Sequence, residues 1–234
     1  MTVYPSGPTV PENLLRIELR FAEPLKKPFD ARHVKLFDSH GERIDDAFLD
    51  LSLGDANGTS ATLLLHPARV KSGVGANRLL GRALQAGALV SLVIDDPAIA
   101  KPVRKIWQVV APDTKGPDPA SWALEAPMVG SRAPLVVRLY SAVSSTARNL
   151  IAVRDANGGR VEGSAVLDSS ETVWRFFPRR PWARGPYALV TSPDLEDPAG
   201  NPACSRFEMP QNSAGVCELG AGISFVTLER KLNQ

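Results

Sequence analysis

The chain has 234 residues, enough for one large or two small domains at roughly 100–150 residues each. Its net charge of +2 implies neither a nucleic acid nor an anionic membrane as partner, and no run of about 18 apolar residues could span a bilayer. Twenty prolines and eighteen glycines interrupt nearly every window of helical length. Proline removes a helix donor and glycine costs about 1 kcal/mol against alanine in a helix interior, so short strands between frequent turns are expected.

Met1–Gly7 has neither a basic start nor an apolar stretch and does not read as a signal peptide. The chain reads either as cytosolic or as a piece whose export signal lies outside these residues. Leu15–Phe21 alternates apolar and polar residues, with Leu15, Ile17, Leu19 and Phe21 on one face, the period of a half-buried strand. Val34–Ile44 reads as strand, then an Asp38-led turn with Gly41, then strand. Leu63–Pro67 is a strand closed by proline. The stretch from Val70 to Arg82, with Gly73, Gly75 and Gly81, reads as a surface loop. Gly87 feeds a further strand over Leu89–Ile94. Three prolines between Ala111 and Pro119 mark a semi-rigid connector. Trp107 and Trp122 flank it, each placed either to cap its own core or to pack between domains.

The elements then recur in order. Leu135–Tyr140 repeats the first strand. Ile151–Val161 repeats the strand–turn–strand, led by Asp155 with Gly158. Trp174–Pro178 repeats the proline-closed strand, and Gly185–Val190 the glycine-fed one. Four matching elements in one order are an internal repeat. The expected fold is all-β, two tandem immunoglobulin-like antiparallel β-sandwiches over residues 8–111 and 118–230. The expected core is Leu15, Ile17, Leu19, Phe21, Val34, Leu36 and Leu63 in the first copy. In the second it is Leu135, Val137, Leu139, Val153, Trp174, Phe176, Tyr187 and Leu189.

Over about 200 of its residues the chain resembles SbsA-type bacterial Ig-like domains. The resemblance rests on Leu15–Pro24 and the hairpin after it, and on Trp174–Pro178, Gly185-Pro186-Tyr187-Ala188-Leu189 and Asp197-Pro198-Ala199-Gly200-Asn201. The first copy departs from the pattern with Asp95-Asp96-Pro97, and the second inserts a cysteine-bearing segment before the last strand, Ile223–Leu228. The resemblance implies an exported, extracellular or periplasmic bacterial protein. Such modules serve as structural spacers or protein-interaction surfaces, without catalytic residues or cofactor. The expected partner is a protein or cell-surface polymer, with no nucleic acid and no membrane span. A carbohydrate-binding accessory module is the alternative, to be recognised by exposed, coplanar aromatic rings on one sheet face.

The residues offer few centres for chemistry. The second copy has no histidine, which excludes a Ser-His-Asp triad within it, and no Gly-x-Ser-x-Gly elbow occurs. His33, His40 and His66 lack metal-ligand spacing, and the three methionines are scattered, unlike a copper site. Neighbouring carboxylates such as Asp45-Asp46 would point to opposite faces of a strand. Three features admit two readings each. Arg175, Arg179, Arg180, Trp182 and Arg184 form either a stacking and cation–π surface for a ligand or the alternation of a strand with Trp174 and Phe176 inward. Asp194, Glu196, Asp197 and Asn201 supply oxygen ligands for calcium, or a turn bonded to its own backbone. Cys204 and Cys217 either close a local disulfide in an oxidising compartment or are two free thiols.

Overall fold

The computed structural model describes residues 1–70, 81–168, 170–203 and 223–229. The chain divides into two compact units, Met1–Thr114 with Pro198–Gly200, and Lys115–Asp197 with Asn201–Gln234. In the first unit β1 (Thr2–Tyr4) belongs to a sheet, ahead of the expected first strand at Leu15–Phe21.

In the first unit, β3 (Arg16–Arg20) alternates buried Ile17 and Leu19 with three charged residues, so one face turns inward. It pairs antiparallel with β1 and with β6 (Ser60–Leu65), which sets Ile17 opposite Leu63. Beyond β6 lies β5 (Phe48–Gly54), whose register shifts between Phe48 and Ser52. The sheet order is β1-β3-β6-β5. The second sheet has the order β2-β8-β7-β4, from β2 (Thr9–Pro11), β8 (Val103–Val110), β7 (Leu89–Ile94) and β4 (Val34–Phe37). Leu36 faces Leu92, Val34 faces Ile94 and Val90 faces Trp107 across it. The inward faces of both sheets meet in one largely aliphatic cluster around Leu19, Leu63, Leu92 and Ile94. Trp107 lies in this cluster and donates its indole N–H to the Pro5 carbonyl at 3.1 Å.

The second unit repeats the plan. Its sheets are β12-β13-β10-β9 and β11-β14-β15. The first comprises β12 (Gly163–Leu167), β13 (Val173–Pro178), β10 (Leu135–Arg138) and β9 (Ala123–Glu125). The second comprises β11 (Ile151–Arg154), β14 (Pro186–Thr191) and β15 (Ile223–Val226). Four strands facing three is the constant-type immunoglobulin arrangement, and the first unit adds a fourth strand to the second sheet. Both units are all-β sandwiches of immunoglobulin-like type.

The strands are antiparallel with one addition that local periodicity does not reveal. β2 runs parallel to β8, with Thr9 opposite Gln108, Val10 opposite Val109 and Pro11 opposite Val110. The second unit shortens the same feature to a parallel bridge between Met128 and Leu228.

All eight residues expected in the second core are buried, from Leu135 and Trp174 at 0% exposure to Tyr187 at 8%. In the first core Leu15 is 39% exposed instead, and its neighbour Leu14 is 1% exposed. The pleat begins only at Arg16, because a turn closed by the Leu14 N–H on the Pro11 carbonyl precedes it. Phe21 lies past the end of the strand and is partly buried, against Phe29 at 5.8 Å between ring centroids. Trp122 is buried in the second unit's own cluster.

Candidate functional site: an arginine-lined groove in the second unit

Trp182 is not a surface residue. It is 2% exposed and donates its indole N–H to the Ala133 carbonyl at 2.8 Å. The chain turns back after β13 and drives the ring into an aromatic cluster with Phe176 (6.1 Å), Tyr187 (5.1 Å, perpendicular) and Phe225 (6.2 Å). Trp174 stacks on Phe176 inside the same core. All four tryptophans are buried, so the stacking platform expected of a carbohydrate-binding module is not built from them.

The four arginines grouped with Trp182 separate in space. Arg175 stands half-buried on the outer face of β13, in register between Val136 and Val166. Arg179 is exposed at the end of that strand and pairs with Glu162 at 3.4 Å. Arg180 is exposed, and Arg184 pairs with Glu229 at 2.9 Å. The cation–π contacts of the described residues lie in the first unit, where Arg20 covers Tyr4 and Lys105 approaches Trp107.

The acidic turn is bonded to itself at Asp197 and Asn201. Asp197 is 1% exposed; it accepts the Asn201 backbone N–H at 2.8 Å and the Asn201 amide at 2.7 Å. Gly200 takes the positive φ of 79° that the turn requires. Asp194 is exposed and meets the Ser192 hydroxyl instead. Among the described residues no group of three or more His, Cys, Asp or Glu side chains is arranged to hold a metal ion.

The same turn recurs through the chain. Asp38, Asp55, Asp155 and Asp168 each accept two backbone N–H groups from the following two to five residues. Three residues after each comes a positive φ: Gly41, Gly58, Gly158 and Glu171. Asp38 and Asp155 occupy equivalent places after β4 and β11, and Asp55 and Asp168 equivalent places before β6 and β13. Hydrogen bonds from the Thr59 hydroxyl and the Ser60 N–H hold the Asp55 carboxyl below its usual range. The Arg32 guanidinium, then the Arg32 N–H, hold Asp30 down at about 2. These carboxylates are committed to turns.

Cys204 and Cys217 lie outside the described residues, as does most of the loop expected between Val70 and Arg82. His40 is exposed, and His66 accepts the Ala68 N–H on Nδ1 at 3.2 Å, local bonding that needs no ligand.

A concavity of about 1020 Å³ lies within the second unit, where the outermost strands of its two sheets approach each other. One wall is β12 and the Arg160–Glu162 segment leading into it; the other is the start of β11. Phe176 contributes to its floor, and Arg148, Arg160 and Arg179 stand around it against one acid, Glu162. Gly163 is required here because a methyl group would collide with the Phe176 ring and the Phe177 carbonyl. Of the arginines expected at a ligand surface only Arg179 belongs to the groove. Arg148 and Arg160 sit far from it in sequence, in segments with no aromatic neighbour to mark them.

No protein-family model matches the chain, and no curated protein does. Solved structures do. A biofilm associated protein, BSP domain, is similar at 12% identity and a TM-score of 0.26 over 80% of this chain. The chain spans about a quarter of that protein, 26%. A chimeric titin Z1Z2 functionalized with a KLER peptide from decorin is similar at 12% identity and 0.28, over 79% of this chain and 84% of that one. Domains 5-6 of the S-layer protein SbsC are similar at 12% identity and 0.27, over 84% and 89%. No helix among the described residues is long and apolar enough to cross a membrane.

Proposed function

We propose that the chain is a non-enzymatic structural spacer and protein-interaction module of an exported bacterial protein, built from tandem Ig-like domains of the SbsA type. The observation that carries the spacer reading is the parallel pairing, in each unit, of the segment that follows the first strand with the last segment of the unit. In the first, β2 and β8 pair over three residues, flanked by the Gln108 N–H on the Pro8 carbonyl and the Glu12 N–H on the Val110 carbonyl. Once β1 has come away from β3, tension on the two ends of that unit loads these bonds in shear, so they must break together. An antiparallel hairpin would open one bond at a time. In the second unit the bridge carries two bonds, Leu228 N–H to Pro127 and Val129 N–H to Leu228.

Single-molecule pulling on the whole chain tests this. The expected trace has two unfolding steps, with the first unit resisting a clearly higher force. Two units that both yield at low force would remove the spacer reading. Export is supported by the family resemblance, and a Cys204–Cys217 disulfide would add to it. Protein prepared without reductant is expected to titrate no free thiol, and two free thiols would remove that support.

A further inference from the structure

We infer that the arginine-lined groove of the second unit is a docking site for an acidic peptide segment, which adds as an extra strand to the open edge of β12. The inference rests on the proposed interaction role and names its partner class. β12 is the outermost strand of its sheet. The Arg179 N–H bonds the Glu162 carbonyl at one end of the pair, and the Asp168 N–H bonds the Val173 carbonyl at the other. By the alternation of an antiparallel ladder, Ser164 and Val166 therefore bond to β13. Gly163, Ala165 and Leu167 turn their N–H and C=O groups to the open side, and those groups bond nothing among the described residues.

Exposed edges are ordinarily blunted by charge, proline, bulges or brevity. β5, at the equivalent place in the first unit, carries the exposed Asp50 and a shifted register. β12, Gly-Ser-Ala-Val-Leu, carries none of these devices. An unblunted edge beside a concavity is the geometry of strand addition, where main-chain bonds give affinity and neighbouring side chains give selectivity. The selectivity here is electrostatic: three arginines stand against one glutamate, and guanidinium groups form charge-assisted bonds to carboxylates. Arg160 is exposed and makes no ion pair among the described residues. The alternating Ala165, with Phe176 below it, leaves room for small apolar side chains between the acids.

The test uses the full chain and a fluorescein-labelled ten-residue peptide alternating valine with aspartate or glutamate. Saturable binding is expected, with at least tenfold loss on Arg160→Glu and none detectable for the peptide with lysine in place of the acids. Two further peptides carry N-methyl groups on the odd or on the even residues. Strand addition requires one of them to bind and the other to fail, a readout that leaves the protein unaltered. Ala165→Pro, which removes an outward N–H only, is expected to abolish binding while the chain keeps its melting transition. No saturation up to millimolar peptide would overturn the proposal. So would equal binding of both methylated peptides, or of Arg160→Glu. Saturation by polygalacturonate without peptide binding, or a dimer of the chain that Ala165→Pro dissolves, would give the groove to another occupant and also overturn it. The pulling experiment does not involve this edge, so the spacer reading stands or falls separately.

Discussion

The two units share one plan yet fill it differently. The first packs leucine, isoleucine and valine from two four-stranded sheets around Trp107. Among the described residues the second has one strand fewer and fills its core with rings: Trp174, Phe176, Trp182, Tyr187 and Phe225 lie within about 5–6 Å of one another in sequence of contact. Tyr187 near the start of β14 completes a tyrosine corner, its hydroxyl accepting the Ala183 N–H at 3.1 Å and donating to the Ala183 carbonyl at 3.3 Å. The first unit has Val90 at the start of its buried face on the equivalent strand, β7. The lesson is that the sandwich tolerates either filling, provided each sheet offers an apolar face every second residue. The turns are less free: equivalent aspartates close equivalent loops in both copies.

The largest test of this difference is truncation of a central side chain in each core. Trp174→Ala should cost about 3–5 kcal/mol and Leu63→Ala about 2–5 kcal/mol. Hydrogen exchange read by mass spectrometry is expected to show lost protection in β10 and β13 for the first variant, with β3 and β6 intact, and the reverse for the second. Loss in both units from either change would show that the cores are not independent. Tyr187→Phe leaves the Ala183 N–H without its partner, while the Ala183 carbonyl keeps the Thr227 hydroxyl, and should cost about 1–2 kcal/mol, seen as a lower denaturation midpoint for the second unit alone. Asp38→Ala and Asp155→Ala each remove an acceptor of two N–H groups. Each should cost about 1 kcal/mol, and near-equal losses would confirm that the loops are one device used twice.

The smallest effect separates the first unit by pH. Asp30 and Asp55 have folded pKa values below the ordinary 3.8. A depressed value means that the folded state holds its protons less tightly than the unfolded chain. The stabilisation is therefore complete above about pH 4 and is lost as pH falls through the folded value, near 2 for Asp30. Asp55 is exposed and Asp30 half-buried, so added salt should shrink the effect. Acid titration of Asp30→Asn against the parent, followed by exchange at β4, is expected to show a flatter fall for the variant. An identical fall would separate the shift from stability.

The four repeated elements that periodicity marks are β3, β4, β6 and β7 in the first sandwich against β10, β11, β13 and β14 in the second. These are buried on one face along several residues, and each is bounded by glycine, proline or aspartate. Burial and turn chemistry both act locally there, so alternation in the sequence reports them directly. The edges β1, β2, β9 and β12 were not legible, because β1 and β2 bury a single residue each and β9 and β12 bury none fully, which leaves no apolar face to alternate. Arg179 was visible as part of a basic run, but its partners in the groove come from other segments.

The amino-acid sequence by itself determined the class of the fold, its duplication, the central strands and the aspartate turns. All of these depend on residues close together in the chain. Tertiary structure alone decided three things. Leu14 rather than Leu15 is buried, because a turn resets the pleat before β3. Trp182 closes a core rather than presenting a ligand face, because the reversal after β13 carries it under Tyr187. The open edge of β12 faces three arginines, because pairing between distant strands leaves that edge last in its sheet. Each of these outcomes is set by which strand lies beside which, and a pattern of period two says which face is buried without saying what lies next to it.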